Sequence, residues 1–175
     1  MGHAKQTDFF PLNIAVLTVS DTRTEENDTS GKVLVDNLQQ AGHKLADKTI
    51  IPDDMYRIRA QVATWIADPK IEAVIITGGT GLTGRDITPE AVAPLFDKEI
   101  PGFGELFRMV SYDEIKTSTV QSRAVAGLSN ATLVFCLPGS TGACRTAWDK
   151  ILQDQLDIRH KPCNFAEMMP RFKEK

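Results

Sequence analysis

The amino-acid sequence predicts an α/β fold in which helices cover both faces of a mostly parallel β-sheet. Short runs of apolar, largely β-branched residues, of which Ala73-Val-Ile-Ile-Thr77 is the clearest, are typical of strands buried on both faces. These runs alternate with segments whose apolar residues recur at helical spacing, as they do in parallel sheets. Each run also stops abruptly in glycine, proline, serine or aspartate, which are turn-forming residues.

The predicted elements follow one another without internal repeats. Strands are predicted at 14–19, 45–51, 73–77 and 131–137. A first helix is predicted to begin at Thr29 or Ser30 and to end before Gly42, and a second to follow Asp54 and end near Asp68. Further helices are predicted at 88–97, with Thr88 as its N-cap, and at 105–112, 117–128 and 143–156, with a connector at 99–104.

Length and charge restrict the class of protein. A chain of 175 residues has the size of one domain, which we predict at 13–156, with a flexible N-terminal arm at 1–12 and a peripheral C-terminal tail at 157–175. The formal net charge of −3 argues against a general nucleic-acid binder, which needs a basic face. No apolar run approaches membrane-spanning length, and the N-terminus lacks a signal-peptide core. We therefore expect neither nucleic acid nor membrane as a partner.

The three cysteines, Cys136, Cys144 and Cys163, predict a reducing compartment. They are odd in number and have no CxxC spacing, so they are typical of free thiols and not of a disulfide framework or a zinc site. Cys144 lies near a predicted helix start, where a thiol can be activated, but a buried helical cysteine is the simpler interpretation. We expect a cytoplasmic protein.

Polar turns follow the predicted strands and should meet in one crevice. They are Ser20-Asp21, Pro52-Asp53-Asp54, the loop from Gly78 to Asp86, and Pro138-Gly139-Ser140. Right-handed crossovers between parallel strands bring the strand ends to the same edge of the sheet, where open α/β folds bind ligands. The sequence therefore predicts a binding site at this edge.

The glycine-rich loop Gly78-Gly-Thr-Gly-Leu-Thr-Gly-Arg-Asp86 permits three interpretations. Its Gly79-x-Gly81-x-x-Gly84 spacing matches a dinucleotide fingerprint, but no acidic residue follows at the ribose distance. It also resembles a phosphate-binding loop in which Asp86 would hold Mg²⁺ and Arg85 would add a cation. The third interpretation is a structural turn with Asp86 as a helix N-cap.

The aspartates after the second strand are ambiguous in the same way. Asp53 and Asp54 precede a predicted helix, where aspartate is a favoured cap. With Asp86 on the same sheet edge, however, they form the carboxylate set that holds Mg²⁺ for phosphoryl or nucleotidyl transfer. Ser20-Asp21 and Pro138-Gly139-Ser140 are likewise either tight turns or anion pockets.

Seven motifs, taken in order, resemble the Mog/MoaB family of molybdenum cofactor biosynthesis, and the tail resembles its MoaB-like branch. The motifs are Thr18-Val-Ser-Asp21, Asp28-x-Ser-Gly31, Ile51-Pro-Asp53, Thr77-Gly-Gly-Thr-Gly81 through Arg85-Asp86-x-Thr-Pro-Glu90, Pro101-Gly-Phe-Gly-Glu105, Gln121-Ser-Arg123 and Leu137-Pro-Gly-Ser140. The resemblance implies a three-layer α/β/α molybdopterin-binding fold that assembles as a homotrimer or homohexamer and works beside other enzymes of the pathway.

The activity that this resemblance implies is molybdopterin adenylyltransferase: molybdopterin and Mg-ATP, or GTP, would give adenylyl-molybdopterin and pyrophosphate. The family's catalytic and magnesium-binding carboxylates correspond to Asp53 and Asp86. Its nucleotide and molybdopterin contacts correspond to Ser20, Asp21, Gly78, Gly79, Thr80, Gly81, Arg85, Ser122, Arg123, Pro138, Gly139 and Ser140. Two alternatives remain at this stage: a non-catalytic pterin- or nucleotide-binding oligomer of the same pathway, and a dinucleotide-dependent oxidoreductase.

Overall fold

A six-stranded sheet forms the centre of the computed structural model, which describes residues 8–174. The strands are β1 (Asn13–Val19), β2 (Lys44–Ile51), β3 (Ala73–Thr77), β4 (Lys98–Glu99), β5 (Val125–Ser129) and β6 (Thr132–Leu137). Their order is β2-β1-β3-β6-β5-β4. The first four strands in this order are parallel, whereas β5 runs antiparallel to both β6 and β4. The prediction of a mostly parallel sheet is therefore confirmed.

Helices lie on both faces of this sheet. They are α1 (Thr29–Gln40), α2 (Met55–Ala67), α3 (Thr88–Val92), α4 (Pro101–Ile115), α5 (Thr141–Ala147), α6 (Gln153–Gln155) and α7 (Phe165–Met168). A π-helical stretch, Trp148–Leu152, joins α5 to α6, so a continuous helical segment covers most of the predicted helix at 143–156. No helix within residues 8–174 is long and apolar enough to cross a membrane.

Alternate residues along each central strand supply two separate hydrophobic cores. In β3, Ala73 and Ile75 pack with α1, α4 and α5, whereas Val74 and Ile76 pack with α2 and α3. This alternation follows from the period of two along a strand. The predicted three-layer α/β/α sandwich is confirmed, with helices packed against both faces of the sheet.

The predicted helix at 88–97 is shorter than expected. Only Thr88–Val92 is α-helical, followed by a 3₁₀ turn at Ala93–Leu95, because Pro94 has no N–H to continue the α-helical pattern. Thr88 is not the N-cap, which is Ile87. The Thr88 hydroxyl instead donates to the carbonyl oxygen of Gly78 at 2.8 Å and fastens the glycine loop to the helix.

The predicted helix at 105–112 is confirmed as part of α4, but the prediction was wrong for the flanking segments 99–104 and 117–128. Helix α4 begins at Pro101, a residue suited to the first helical turn, and so includes part of the predicted connector. A 3₁₀ segment at Lys116–Gln121 and strand β5 replace the predicted helix at 117–128. Gly127 allows β5 to lie directly against the ring of Phe96, which a side chain at this position would occupy.

Both ends of the described chain contact the core. Residues 1–7 of the predicted arm lie outside the described residues. Leu12 is fully buried, and its N–H donates to Nδ1 of His43 at 3.1 Å. Near the other end, Asn164 and Ala166 are buried, and the rings of Phe165 and Phe135 lie 6.1 Å apart. The segment around α7 thus packs on the core, although the predicted domain boundaries themselves stay a prediction.

Candidate functional site

The predicted crevice exists as a pocket of about 550 Å³ at the carboxyl ends of the parallel strands. Eleven of the predicted site residues line it: Ser20, Asp53, Gly78, Gly79, Thr80, Gly81, Asp86, Ser122, Pro138, Gly139 and Ser140. Asp21, Arg85 and Arg123 do not line it. The structure therefore brings most of the predicted residues together, and its side-chain contacts explain the three exceptions.

Two glycines of the loop are required by the backbone. Gly78 and Gly79 have φ of +102° and +64°, which side-chain-bearing residues rarely adopt. A Cβ on Gly78 would overlap the carbonyl oxygen of Val19, and one on Gly79 would lie 2.9 Å from Oδ1 of Asp53. A Cβ on Gly84, by contrast, meets no atom within 4 Å. The full Gly79-x-Gly81-x-x-Gly84 fingerprint is thus not required here, which argues against the dinucleotide interpretation.

The backbone amides of the loop are partly available to a ligand. The N–H of Gly78 donates to the carbonyl oxygen of Leu137 at 3.1 Å and is already used. Within residues 8–174 no backbone acceptor is bonded to the N–H of Gly79 or Thr80. These two N–H groups are therefore available as donors to an anion.

Asp86 closes the glycine loop and does not cap the following helix. Its Oδ2 accepts hydrogen bonds from the hydroxyl and the N–H of Thr83, at 2.6 and 2.9 Å. These bonds, the hydroxyl first, keep the pKa of Asp86 below its usual value against the effect of partial burial. Asp86 is therefore a fixed carboxylate at the pocket wall.

The adjacent aspartates Asp53 and Asp54 have separate roles. Asp54 is the N-cap of α2 and accepts from the N–H groups of Tyr56 and Arg57 at 3.0 and 2.9 Å. Asp53 lines the pocket, and no side chain within residues 8–174 donates a hydrogen bond to its carboxylate, which lies beside the backbone N–H of Asp21. Burial and the nearby charge of Asp21 raise the pKa of Asp53, and Asp86 contributes in the same direction. The capping interpretation thus holds for Asp54, while Asp53 is free to bind a cation.

Asp21 and Arg85 form an ion pair beside the pocket. Nε and Nη2 of Arg85 donate to the two carboxylate oxygens of Asp21 at 3.0 and 2.8 Å. Oδ1 of Asp21 also accepts the N–H of Asp53 at 3.2 Å. The pair thereby positions the Asp53 backbone. The sequence analysis predicted Asp21 and Arg85 as ligand contacts, but neither side chain lines the pocket.

Arg123 holds the glycine loop in place from outside the pocket. Its guanidinium donates to the carbonyl oxygens of Thr80, Gly81 and Asp86 at 2.8 to 3.2 Å and also pairs with Glu90. All of these partners belong to the chain itself. The structure therefore gives Arg123 a supporting position instead of the predicted contact site.

The turn after β6 lies next to the glycine loop. Gly139 allows this approach, since a Cβ on it would lie 3.2 Å from Cα of Gly78. Ser140 is the N-cap of α5 and accepts from the N–H of Ala143 at 3.1 Å. Cys144 follows it in α5, where burial raises the pKa of its thiol to about 11. The thiol is therefore inert, and Cys136 and Cys163 are also free of disulfides.

Sequence reasoning missed several pocket residues. Among the residues that the structure describes, Arg23 is the one arginine or lysine that lines the pocket, although it lies in a polar loop that carries no motif of its own. Its N–H donates to Oγ of Ser20 at 3.2 Å, and its guanidinium to the carbonyl oxygen of Asn27 at 3.0 Å. The other missed lining residues are Thr18, Val19, Ser30, Thr77, Leu82, Ile115, Ser118 and Gln121. The quoted motifs were the available signal for most of them, since Ile115 and Ser118 alone of these eight lie outside every motif.

The pocket has two chemically different sides. The acidic wall consists of Asp53, Asp86 and the loop Gly78–Gly81, at the ends of β2 and β3. The neutral wall consists of Ile115, Ser118, Gln121, Ser122 and Ser140, from α4, the following 3₁₀ segment and the β6–α5 turn. One side thus carries charge for a cation or phosphate, and the other offers hydroxyl and amide groups.

The carboxylates of the acidic wall fit Mg²⁺. Within residues 8–174 no group of three or more histidine, cysteine or acidic side chains is arranged as a metal cage. Mg²⁺ usually binds through one or two carboxylates together with substrate phosphates and water, so Asp53 and Asp86 beside an amide-lined loop are a suitable donor set.

Comparisons with known proteins agree with this architecture. Residues 15–158 match the family model described as "Probable molybdopterin binding domain". The chain is 60% identical to the Escherichia coli K12 protein named molybdenum cofactor biosynthesis protein B over 159 residues, which cover 91% of this chain and 94% of that protein.

Solved structures show the same likeness. A crystal structure of a molybdenum cofactor biosynthesis protein B superposes with a TM-score of 0.82 at 45% identity, covering 84% of this chain and 92% of the other. A structure of MogA superposes with a TM-score of 0.74 at 25% identity, covering 80% and 92%. The resemblance inferred from the motifs is therefore confirmed by both sequence and fold.

Proposed function

The chain belongs to the molybdopterin-binding-domain family of molybdenum cofactor biosynthesis proteins, and we propose that it catalyses Mg-ATP-dependent adenylylation of molybdopterin with release of pyrophosphate. The observation that supports this proposal is the acidic wall. It places two carboxylates, Asp53 and Asp86, beside a loop with free backbone amides in a single pocket. Positioning and charge neutralisation supply most of the catalysis in phosphoryl and nucleotidyl transfer.

The acidic wall would hold the reacting phosphates. Asp86 and Asp53 would bind Mg²⁺, which supplies charge neutralisation at the phosphates when it is present. The N–H groups of Gly79 and Thr80 would donate to phosphate oxygens, and the ion pair of Asp21 with Arg85 keeps Asp53 in position. No covalent intermediate is needed, because the buried Cys144 is no nucleophile at neutral pH.

Arg23 would supply the pocket's own cation for a phosphate group. The guanidinium groups of Arg85 and Arg123 are occupied by partners within the chain. Arg23 has one such bond, to Asn27, and the loop that carries it is anchored by the ion pair between Lys48 and Glu25. Its remaining donors match the geometry of a phosphate.

We propose a homo-oligomer, a trimer or a hexamer. Helix α4 leaves Leu106, Met109 and Tyr112 exposed at 37%, 66% and 50%, spaced three residues apart along one face. Such an apolar stripe favours burial against another copy. Sedimentation should then show no stable species at the monomer mass of 19.3 kDa, and a monomer at micromolar concentration would contradict this.

The free cysteines and the family indicate where the protein would work. We propose a cytoplasmic location, since all three cysteines are free, and action alongside other enzymes that make the molybdenum cofactor.

Mass spectrometry of the product tests the proposed reaction. Incubation with Mg-ATP and molybdopterin should yield adenylyl-molybdopterin, and replacing ATP with GTP shows which nucleotide is preferred. Binding of both substrates without any product would contradict the reaction and favour the alternative of a non-catalytic pterin- or nucleotide-binding oligomer.

A further inference from the structure

We propose that a small cavity beside the neutral wall binds a 2-amino-4-oxopyrimidine ring edge, which both a pterin and a guanine carry, and that Glu114 recognises it. This inference refines the proposed function by assigning a subsite for the planar ring of a substrate. The cavity, which we call the annexe, has a volume of about 170 Å³.

The annexe opens from the main pocket between α4 and α5. The two cavities share Ile115, Ser122, Pro138 and Ser140 in their linings. A ligand bound in the main pocket can therefore extend into the annexe. The apolar surfaces of Phe107 and Ala143 line the rest of the annexe, as is usual for cavities that accept a flat ring.

Two polar groups in the annexe are poised for a ligand. The hydroxyl of Thr146 lies 3.0 and 3.1 Å from the two carboxylate oxygens of Glu114, and 3.1 Å from the carbonyl oxygen of Gly142, its other acceptor. Ser111 is 95% buried, since its relative exposure is 5%, and its hydroxyl has no hydrogen-bond partner within residues 8–174. This hydroxyl lines the annexe, so a ligand or water there can bond to it.

The N–H donors of a pterin or guanine ring match the two acceptor oxygens of the Glu114 carboxylate. A carboxylate has about four acceptor sites and binds two parallel N–H groups, as it does with a guanidinium. The ring N–H and the neighbouring amino group of a pterin or guanine form the same two-pronged arrangement, whereas adenine has an acceptor nitrogen beside its amino group. The annexe should therefore reject adenine and accept either of the other two rings.

Equilibrium titrations of the full chain test this assignment. The probes are 2-amino-4-oxopteridine, its 2,4-dioxo analogue that lacks the amino group, GTP, and ITP, which lacks the amino group of guanine. The variants are Glu114→Gln, Ser111→Ala and, as the matched control on the same helix, Glu105→Gln. Both glutamates are exposed, so neither substitution should disturb folding.

If a pterin is the ligand, the wild type should bind the amino-pteridine about tenfold more tightly than the dioxo analogue, and Glu114→Gln should abolish that preference. Ser111→Ala should weaken binding by a smaller factor, and Glu105→Gln should leave it unchanged. If guanine is the ligand, the wild type should instead bind GTP about tenfold more tightly than ITP, and Glu114→Gln should abolish that preference.

Equal affinities for each probe pair, or preferences that survive in Glu114→Gln, would overturn the assignment. Adenylyl transfer by the wild type in that case would leave the proposed function intact. Conversely, a Glu114-dependent preference without any transfer would refute the reaction and retain the subsite.

Discussion

The acidic and neutral walls of the pocket differ in charge and in how the fold produces them. The acidic wall follows the parallel strands β2 and β3: Asp53 stands just after β2, and Asp86 ends the loop after β3, where Thr83 holds its carboxylate. The neutral wall comes from α4, a 3₁₀ segment and the β6–α5 turn, and it carries hydroxyl and amide groups. Under the proposed function, the acidic wall would carry the chemistry and the neutral wall would recognise the ligand.

The largest effect should come from removing one charge of the acidic wall. Asp53→Asn should lower the rate of adenylyl transfer about 100-fold or more, because an amide is a poor Mg²⁺ ligand. Its neighbour provides the control: Asp54→Asn keeps a residue that caps α2, so the rate should be unchanged. Equal rates for both variants, measured as product per unit time, would remove Asp53 from the mechanism.

Distorting the loop of the acidic wall should affect both folding and ligand binding. Gly79→Ala places a Cβ at φ +64°, 2.9 Å from Oδ1 of Asp53, and should cost about 1–2 kcal/mol of unfolding free energy as well as ATP affinity. Gly84→Ala in the same loop meets nothing within 4 Å and should change neither. Urea unfolding and ATP titration measure both effects; equal losses in the two variants would contradict the assigned backbone roles.

The parallel half of the fold was largely predictable, and the antiparallel half was not. Buried strands such as β3 are recognisable because β-branched residues continue without a break until the glycines begin. Strand β5, Val125–Ser129, contains Ala126 and Gly127, which are weak strand formers, and its strand character depends on pairing with β6 and packing against Phe96.

The same distinction applies to the site residues. Asp53 and Gly79 stand directly after strands, where position alone indicates a ligand site, and Asp86 ends the glycine loop that follows β3. Arg23, Ser118 and Gln121 reach the pocket from irregular segments, so no periodicity indicated them. Arg85 and Arg123 have a suitable charge for a phosphate, but the acceptors that occupy them are distant in sequence and could not be foreseen.

A smaller effect should appear in the pH dependence of the acidic wall. Partial burial, and after it the charge of Asp21, raise the pKa of Asp53, so protonation removes the ionised form at a higher pH than for an ordinary aspartate. Asp21→Asn removes that charge and frees the Arg85 cation, so both changes lower the pKa of Asp53. The acidic limb of the pH–rate profile should therefore move to lower pH. A limb that stays at the same pH, or moves to higher pH, would contradict the effect of Asp21 on the pKa of Asp53.

The smallest effect should arise in the neutral wall. Ser140→Ala removes the N-cap of α5 and should lower the unfolding free energy by about 1 kcal/mol, whereas Ser140→Asn retains a capping oxygen and should lose less. Denaturant unfolding at neutral pH checks both values. A loss in Ser140→Asn as large as that in Ser140→Ala would show that capping is not the stabilising role.

The most direct test of the central claim is pyrophosphate release from Mg-ATP, measured with and without molybdopterin, for the wild type and Asp86→Asn. We predict release by the wild type that requires molybdopterin, and its loss in Asp86→Asn although the variant still folds and binds the pterin. Unchanged release by Asp86→Asn would contradict the role of the acidic wall, and no release by a wild type that binds both substrates would contradict the proposed reaction.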